Sequence, residues 1–401
     1  MKRSHILFAI VIISISFIGC SEDEVVKPEN NESPTASITS PVNGASFAGG
    51  AIINFTGTGT DPEDGPLAED SLMWTSDKDG LMGTSTAVST SLSINDHTVK
   101  LTVTDSEGNT GSESISISVN SGAGLISVPA TAGYPMGWDE FISGHEDPAH
   151  TVSLSAFRIG KFEVTYELWM GVKTWADANG YIMNDGVQGD GMDRTDQHPV
   201  TDIHWKDCVA WCNAYSEKEG LTPVYYTSSA QTGLYKDAST DGHGNIGSDC
   251  VNWSADGFRL PTEAEWEFAA RYIDGTNVSP GDKHSGYNLF PDIDDCAWFR
   301  DNSHLSTEPV SQLQANSLGA YDMSGNVYEW CWDWYDGDYY SDSPTNNPRG
   351  PAVGVYRIHR GGSWGESSTA IYAYVAHRGA WYPHTRSLSG GFRICRSGSG
   401  Q

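Results

Sequence analysis

Pro261-Thr262-Glu263-Ala264-Glu265-Trp266-Glu267-Phe268-Ala269-Ala270 is the clearest helix signal in the chain. Thr262 and Glu265 form a T-x-x-E capping box, and Glu263 sits where the positive end of the helix dipole favours an acid. Trp266, Ala269 and Ala270 fall at i, i+3 and i+4 and predict one buried stripe. Working outward, Asp207 to Tyr215 predicts a second short helix with one apolar face, and Thr151 to Arg158 alternates as a strand does. The remainder of residues 125–397 is dominated by Gly, Trp, Tyr and Asn without a period. Long irregular stretches of that kind must satisfy their backbone groups through side chains, ions or water. The expectation is a domain of short helices and a strand joined by long irregular segments.

Composition narrows the function classes. The 401 residues carry 23 Lys+Arg against 52 Asp+Glu, a net charge of −29, which repels phosphate backbones and argues against a nucleic-acid partner. With 14 Trp and 18 Tyr the chain has the material for a substantial core.

The N-terminus reads as a leader. Lys2 and Arg3 precede an uncharged, mostly apolar run from Ile6 to Ile18, too short for the ~20 residues of a spanning helix. It ends Phe17-Ile18-Gly19-Cys20, which resembles a bacterial lipobox. Residues 1–19 are therefore expected to be a lipoprotein signal peptide, with Cys20 lipidated as the membrane anchor. Residues 20–33 make an acidic tether, and Ser21-Glu22-Asp23-Glu24 resembles tags that send lipoproteins to the outer face of the outer membrane. A plain solvated tether is the alternative reading. The six other cysteines, Cys208, Cys212, Cys250, Cys296, Cys331 and Cys395, permit up to three disulfides in an oxidising compartment. None lies in a CxxC, which disfavours a zinc knuckle.

Residues 34–120 alternate short β-patterned runs, from Ala36-Ser37-Ile38-Thr39 to Ser114-Ile115-Ser116-Ile117-Ser118-Val119, with turn clusters. That spacing predicts an all-β sandwich. It resembles bacterial immunoglobulin-like or PKD-like modules, with Trp74 in the core. Asp61, Glu63, Asp64 and Asp105 either converge on Ca²⁺ or serve as turn formers. Ser121-Gly122-Ala123-Gly124 is a hinge into the larger domain.

Six blocks of that larger domain occur in a telling order: Gly160-Lys161-Phe162-Glu163-Val164-Thr165, His198-Pro199-Val200, Gly257 to Glu267, Leu318 to Trp330, Arg360-Gly361-Gly362-Ser363-Trp364 and Gly391-Phe392-Arg393. Together they resemble the formylglycine-generating enzyme family, also called sulfatase-modifying factors, over residues 125–397. The resemblance implies a duplicated, C-type-lectin-like α+β fold with little regular secondary structure. It implies an oxidase that grips copper with two cysteines beyond the R-G-G-S segment and acts on a substrate cysteine. Here those two positions are Glu366 and Ile371, and neither supplies a thiolate. Ser363 matches the active-site serine. Copper is therefore not expected. His198, His204, His377 and His384 do not follow the three-histidine iron pattern of other relatives, whose ligands sit largely in an added helical domain.

Calcium is the ion the resemblance favours, held by the side chains of Asp322 and Glu329 and the carbonyls of Gly325 and Val327; the alternative is that Asp322 and Glu329 cap the loop by hydrogen bonds alone. Residues 364–390 mix aromatic and polar side chains on a loop scaffold, as recognition surfaces do. Trp364, Tyr372, Tyr374, Arg378, Trp381, Tyr382 and Arg386 are the candidate ligand-binding surface, with His377 and His384 beside them; some of these rings must also fill the core. The expected function is a lectin-like binding module for a protein or glycan on an outer-membrane, surface-exposed lipoprotein. The alternative is a formylglycine-generating or other metal-dependent oxidase, with Ser363 in the site.

Overall fold

The structure, a computed structural model, describes residues 31–48, 52–92, 96–120, 124–139, 145–192, 194–239, 246–274, 277–278, 283–286, 293–367 and 371–398. The leader and Cys20 lie outside the described residues. Two compact units emerge, one from described residues up to Asn43 with 54–90 and 98–115, the other from 44–53, 91–97 and everything from Ser116 onward. Among the described residues no helix is long and apolar enough to cross a membrane.

The first unit is built of strands. Thr35–Ser40 pairs antiparallel with Ile53–Asp61, and Leu72–Ser76 pairs antiparallel with Gly80–Thr84 on one side and Asp96–Thr104 on the other. Alternation decides the faces: Phe55, Leu72, Trp74, Leu101 and Val103 are buried while their neighbours are not. Phe55 meets Trp74 with ring centroids 5.8 Å apart, so the two sheets face each other. Gly57 and Gly59 leave the room this needs, because a Cβ on Gly57 would come within 2.7 Å of Leu101. Asp61 Oδ1 accepts the backbone N–H groups of Glu63 and Asp64, and Asp105 Oδ1 those of Glu107 and Asn109. Both carboxylates thus cap turns.

The second unit holds the helices α1 (Tyr166–Ala178), α2 (Trp205–Lys218) and α3 (Glu263–Arg271). Helix α3 has the predicted capping box, with Thr262 accepting from the Glu265 N–H and Glu265 accepting from the Thr262 N–H. The single apolar stripe is a correction: every residue of α3 is buried. Its acids are neutralised in place, Glu263 and Glu267 by Arg360 and Glu265 by Arg259. Helix α2 likewise runs past the predicted Asp207–Tyr215 at both ends. It is capped by His204 and buried from Trp205 to Ser216. Thr151 to Arg158 is two strands, His150–Leu154 and Phe157–Gly160.

A four-stranded sheet carries the site. Its strands are β1 (Tyr328–Trp334), β2 (Arg357–Arg360), β3 (Gly379–Trp381) and β4 (Gly390–Gly391), ordered β3-β2-β1-β4. Strand β1 is parallel to β4, and the other pairs are antiparallel. The sequence Tyr328-Glu329-Trp330-Cys331-Trp332-Asp333-Trp334 is buried throughout. Its alternation sends Trp330 toward His359 and Trp381, and Glu329 toward Arg393 and Trp266.

Of the states left open for the six cysteines, the structure shows the unpaired one. All six cysteines from Cys208 to Cys395 are buried free thiols. They lie on separate elements, except Cys208 and Cys212, which are one turn apart on α2. Burial pushes the Cys208, Cys212, Cys331 and Cys395 thiols up, which keeps them protonated.

Candidate functional site

The Arg360-Gly361-Gly362-Ser363 segment leaves strand β2 through two residues in the left-handed region, Gly361 at φ 91° and Gly362 at φ 77°. A Cβ on Gly362 would stand 2.6 Å from the Ala373 Cα, so glycine is required for this close approach. Arg360 anchors the segment through Glu263 and Glu267. Ser363 is buried, and its carbonyl accepts the Glu366 N–H at 3.1 Å. The turn brings the Glu366 carboxylate to the Tyr328 hydroxyl, which donates to Oε1 at 2.6 Å.

An open cleft of about 590 Å³ lies here. Tyr328, Trp381 and His359 form one wall, packed edge to face: Tyr328 is 5.2 Å from Trp381 and 4.6 Å from His359. Tyr372, 46% exposed, stands against His377 at 5.1 Å. Tyr335, Tyr356 and Glu366 also line the cleft. Gly379, paired with His359 across β2 and β3, makes the wall possible, because a Cβ there would lie 2.0 Å from the imidazole. Burial lowers both His359 and His377, the latter to about 4, so both rings are neutral near pH 7.

The predicted recognition surface is divided by this arrangement. Tyr372 and Trp381 line the cleft. Tyr382 is exposed and meets Tyr356, with the hydroxyls 3.2 Å apart. Arg386 is exposed and held by Asp202 at 2.6 Å, and His384 stacks on Tyr382. Trp364 is half-buried. Tyr374 is buried away from the cleft, and Arg378 is buried but reaches the cleft lining. Arg378 spends its guanidinium on Glu263 and on the carbonyls of His145 and Asp336. The reading from sequence missed Tyr328, Tyr335, Tyr356 and His359. The alternation of β1 was the available signal for Tyr328.

The predicted calcium residues sit behind this wall. Asp322 is buried; its Oδ2 accepts the Ser311 N–H, and its Oδ1 has no hydrogen-bond partner. Glu329 is committed: Arg393 grips both oxygens at 2.6 Å, and the Trp266 indole donates to Oε2 at 2.8 Å. Glu163 joins them, accepting from Asn326 Nδ2 and the Val327 N–H. Burial, with Asp322 and Glu329 nearby, pushes Glu163 well up. Three buried carboxylates thus face one guanidinium, and the orphan Asp322 oxygen fits a hard cation. Among the described residues no three metal-binding side chains converge, so main-chain oxygens would have to complete the ligand set.

Fold and segment order define the class. The description "Sulfatase-modifying factor enzyme 1-like domain" matches residues 112–398, and the chain belongs to that family. It is 34% identical over 269 residues to the "Chaperone protein LppX" of Paenibacillus barcinonensis, covering 61% of this chain and 82% of the relative. It is 39% identical over 148 residues to a formylglycine-generating enzyme of Streptomyces coelicolor, covering 34% of this chain and 46% of that enzyme. Among solved structures, "Treponema denticola variable protein 1" aligns with a TM-score of 0.55 and 32% identity, over 68% of this chain and 95% of its own.

Proposed function

We propose that this chain is an outer-membrane lipoprotein, anchored through Cys20 and exposed at the surface, whose sulfatase-modifying-factor-like domain is a binding module. The residues from 34 to 120 serve as an immunoglobulin-type spacer. The ligand, a protein or glycan, is taken at the aromatic cleft beside Ser363.

One observation carries the reading. Oxidation of a substrate cysteine through copper needs two soft thiolates beside Ser363. Glu366 stands there instead, its carboxylate bonded to Tyr328, and the six thiols from Cys208 to Cys395 are buried. Calcium in this reading is structural: Asp322 with the carbonyls of Gly325 and Val327 would hold it, while Glu329, neutralised by Arg393, would stay outside the ligand set.

The test is chemical. Purified protein is loaded with copper and incubated with a sulfatase-type C-x-P-x-R peptide, while the same preparation is screened on glycan arrays and in pull-downs. The peptide should keep its thiol by mass spectrometry and the screen should yield a ligand. Conversion of the cysteine to formylglycine would overturn the proposal.

A further inference from the structure

Charge in the cleft is lopsided. Glu366 is half-buried, uses Oε1 to accept from Tyr328, and has no ion-pair partner among the described residues. The basic side chain lining the cleft, Arg378, is already neutralised, with Nε and Nη2 on Glu263 and Nη1 on two carbonyls. The imidazoles of His359 and His377 are neutral for the reason given above. The rings of Tyr328, Tyr356, Tyr372 and Trp381 line the same cleft as this carboxylate, whereas the Tyr335 ring already carries the Arg378 guanidinium 5.3 Å from its centroid.

We infer that the cleft is a receptor for a quaternary ammonium group, held between these rings with Glu366 as its counter-charge. The inference rests on the binding reading above and names the chemistry of the ligand. Ring faces carry negative quadrupole and attract cations, most effectively ones that shed water easily. A methylated ammonium is such a cation and needs no hydrogen-bond acceptor, which suits walls that offer π-faces. A divalent metal needs several hard oxygens, and among the described residues no three metal-binding side chains gather. A neutral ligand would leave the Glu366 charge half-desolvated and uncompensated. An anion would meet it directly, in a chain of net charge −29.

The experiment is calorimetric titration of the full chain with choline, with phosphocholine, and with 3,3-dimethyl-1-butanol, the uncharged isostere of choline. Choline should bind saturably and at least about tenfold more tightly than the alcohol. Glu366→Gln and Trp381→Leu should each weaken it by a similar factor, with near-ultraviolet circular dichroism showing that the fold persists. Phosphocholine binding as well as choline would place the cation on a lipid headgroup; binding of choline alone would point to a free ammonium compound. Equal affinity for choline and the alcohol, or no saturable choline binding, overturns the inference. If choline fails but a ligand from the glycan or pull-down screen is lost in Trp381→Leu, the cation is wrong and the binding module stands. Oxidation of the C-x-P-x-R peptide would remove both.

Discussion

Arg393 holds Glu329 through two parallel hydrogen bonds, Nε to Oε2 and Nη2 to Oε1, each 2.6 Å long, with both side chains fully buried. Bidentate pairing satisfies the charges, but their desolvation offsets most of the Coulomb gain. Removing one partner leaves the other charged and dry. Glu329→Gln and Arg393→Met should each destabilise the domain by about 3–5 kcal/mol. A double replacement by apolar residues of similar volume should recover much of that loss. Urea unfolding of the three variants checks this, and equal damage from single and double variants would contradict it.

The Asp322 oxygen makes a separate prediction. If a calcium ion sits there, adding calcium should raise the melting temperature by a few degrees, since a ligand at a hundredfold its Kd stabilises by about 2.7 kcal/mol. Asp322→Asn should abolish the response to both calcium and EDTA. A parent protein that melts identically with calcium and with EDTA would leave Asp322 as a buried, protonated acid.

Acid should weaken the second unit for an identifiable reason. Burial lowers His377 and His284 to about 4, whereas an unfolded imidazole titrates near 6.5. Between those values the unfolded chain binds protons that the folded chain excludes. Stability is therefore full above about pH 6.5 and falls as pH drops toward 4. The urea midpoint should decline across that window. His377→Gln with His284→Gln should flatten the decline, because glutamine does not titrate there.

The thiols give a direct readout of whether the six cysteines are unpaired. Iodoacetamide applied without reductant should label Cys208, Cys212, Cys250, Cys296, Cys331 and Cys395 in denatured protein and spare them in folded protein, because burial hides all six and pushes the thiols of Cys208, Cys212, Cys250, Cys331 and Cys395 up. Peptide mapping that finds any of them unlabelled after denaturation would mean that they are paired.

What the sequence made legible was local. The α3 capping box joins Thr262 to Glu265 three residues away, and the strand runs around Trp74 and Val103 alternate within a few positions. The burial of Glu263 and Glu267 was hidden, because their partners Arg360 and Arg378 lie 93 to 115 residues downstream. Arg378 itself reads as a recognition residue by type and neighbourhood, and only the Glu263 contact shows it to be part of the scaffold. Glu163 reads in the sequence only as part of a family block, yet it reaches across 164 residues to the Val327 N–H. Ordered blocks revealed the family, whereas the cleft required knowing that β1, β2 and β3 lie side by side.

Gly379 tests whether that adjacency shapes the cleft. It faces His359 across β2 and β3, and an added methyl would overlap the imidazole at 2.0 Å. Gly379 is not in the left-handed region, so backbone strain plays no part and the effect of Gly379→Ala is steric alone. Overpacking of this kind costs about 1–3 kcal/mol. The imidazole must turn away and disturb Trp381, whose ring lies 4.0 Å from it. The variant should fold with a lowered melting temperature and an altered tryptophan spectrum, and lose affinity for any ligand of the cleft. His359→Ala in the same background frees the space for the methyl and should restore part of the lost stability. A second variant no more stable than Gly379→Ala would show that the pair is not in conflict.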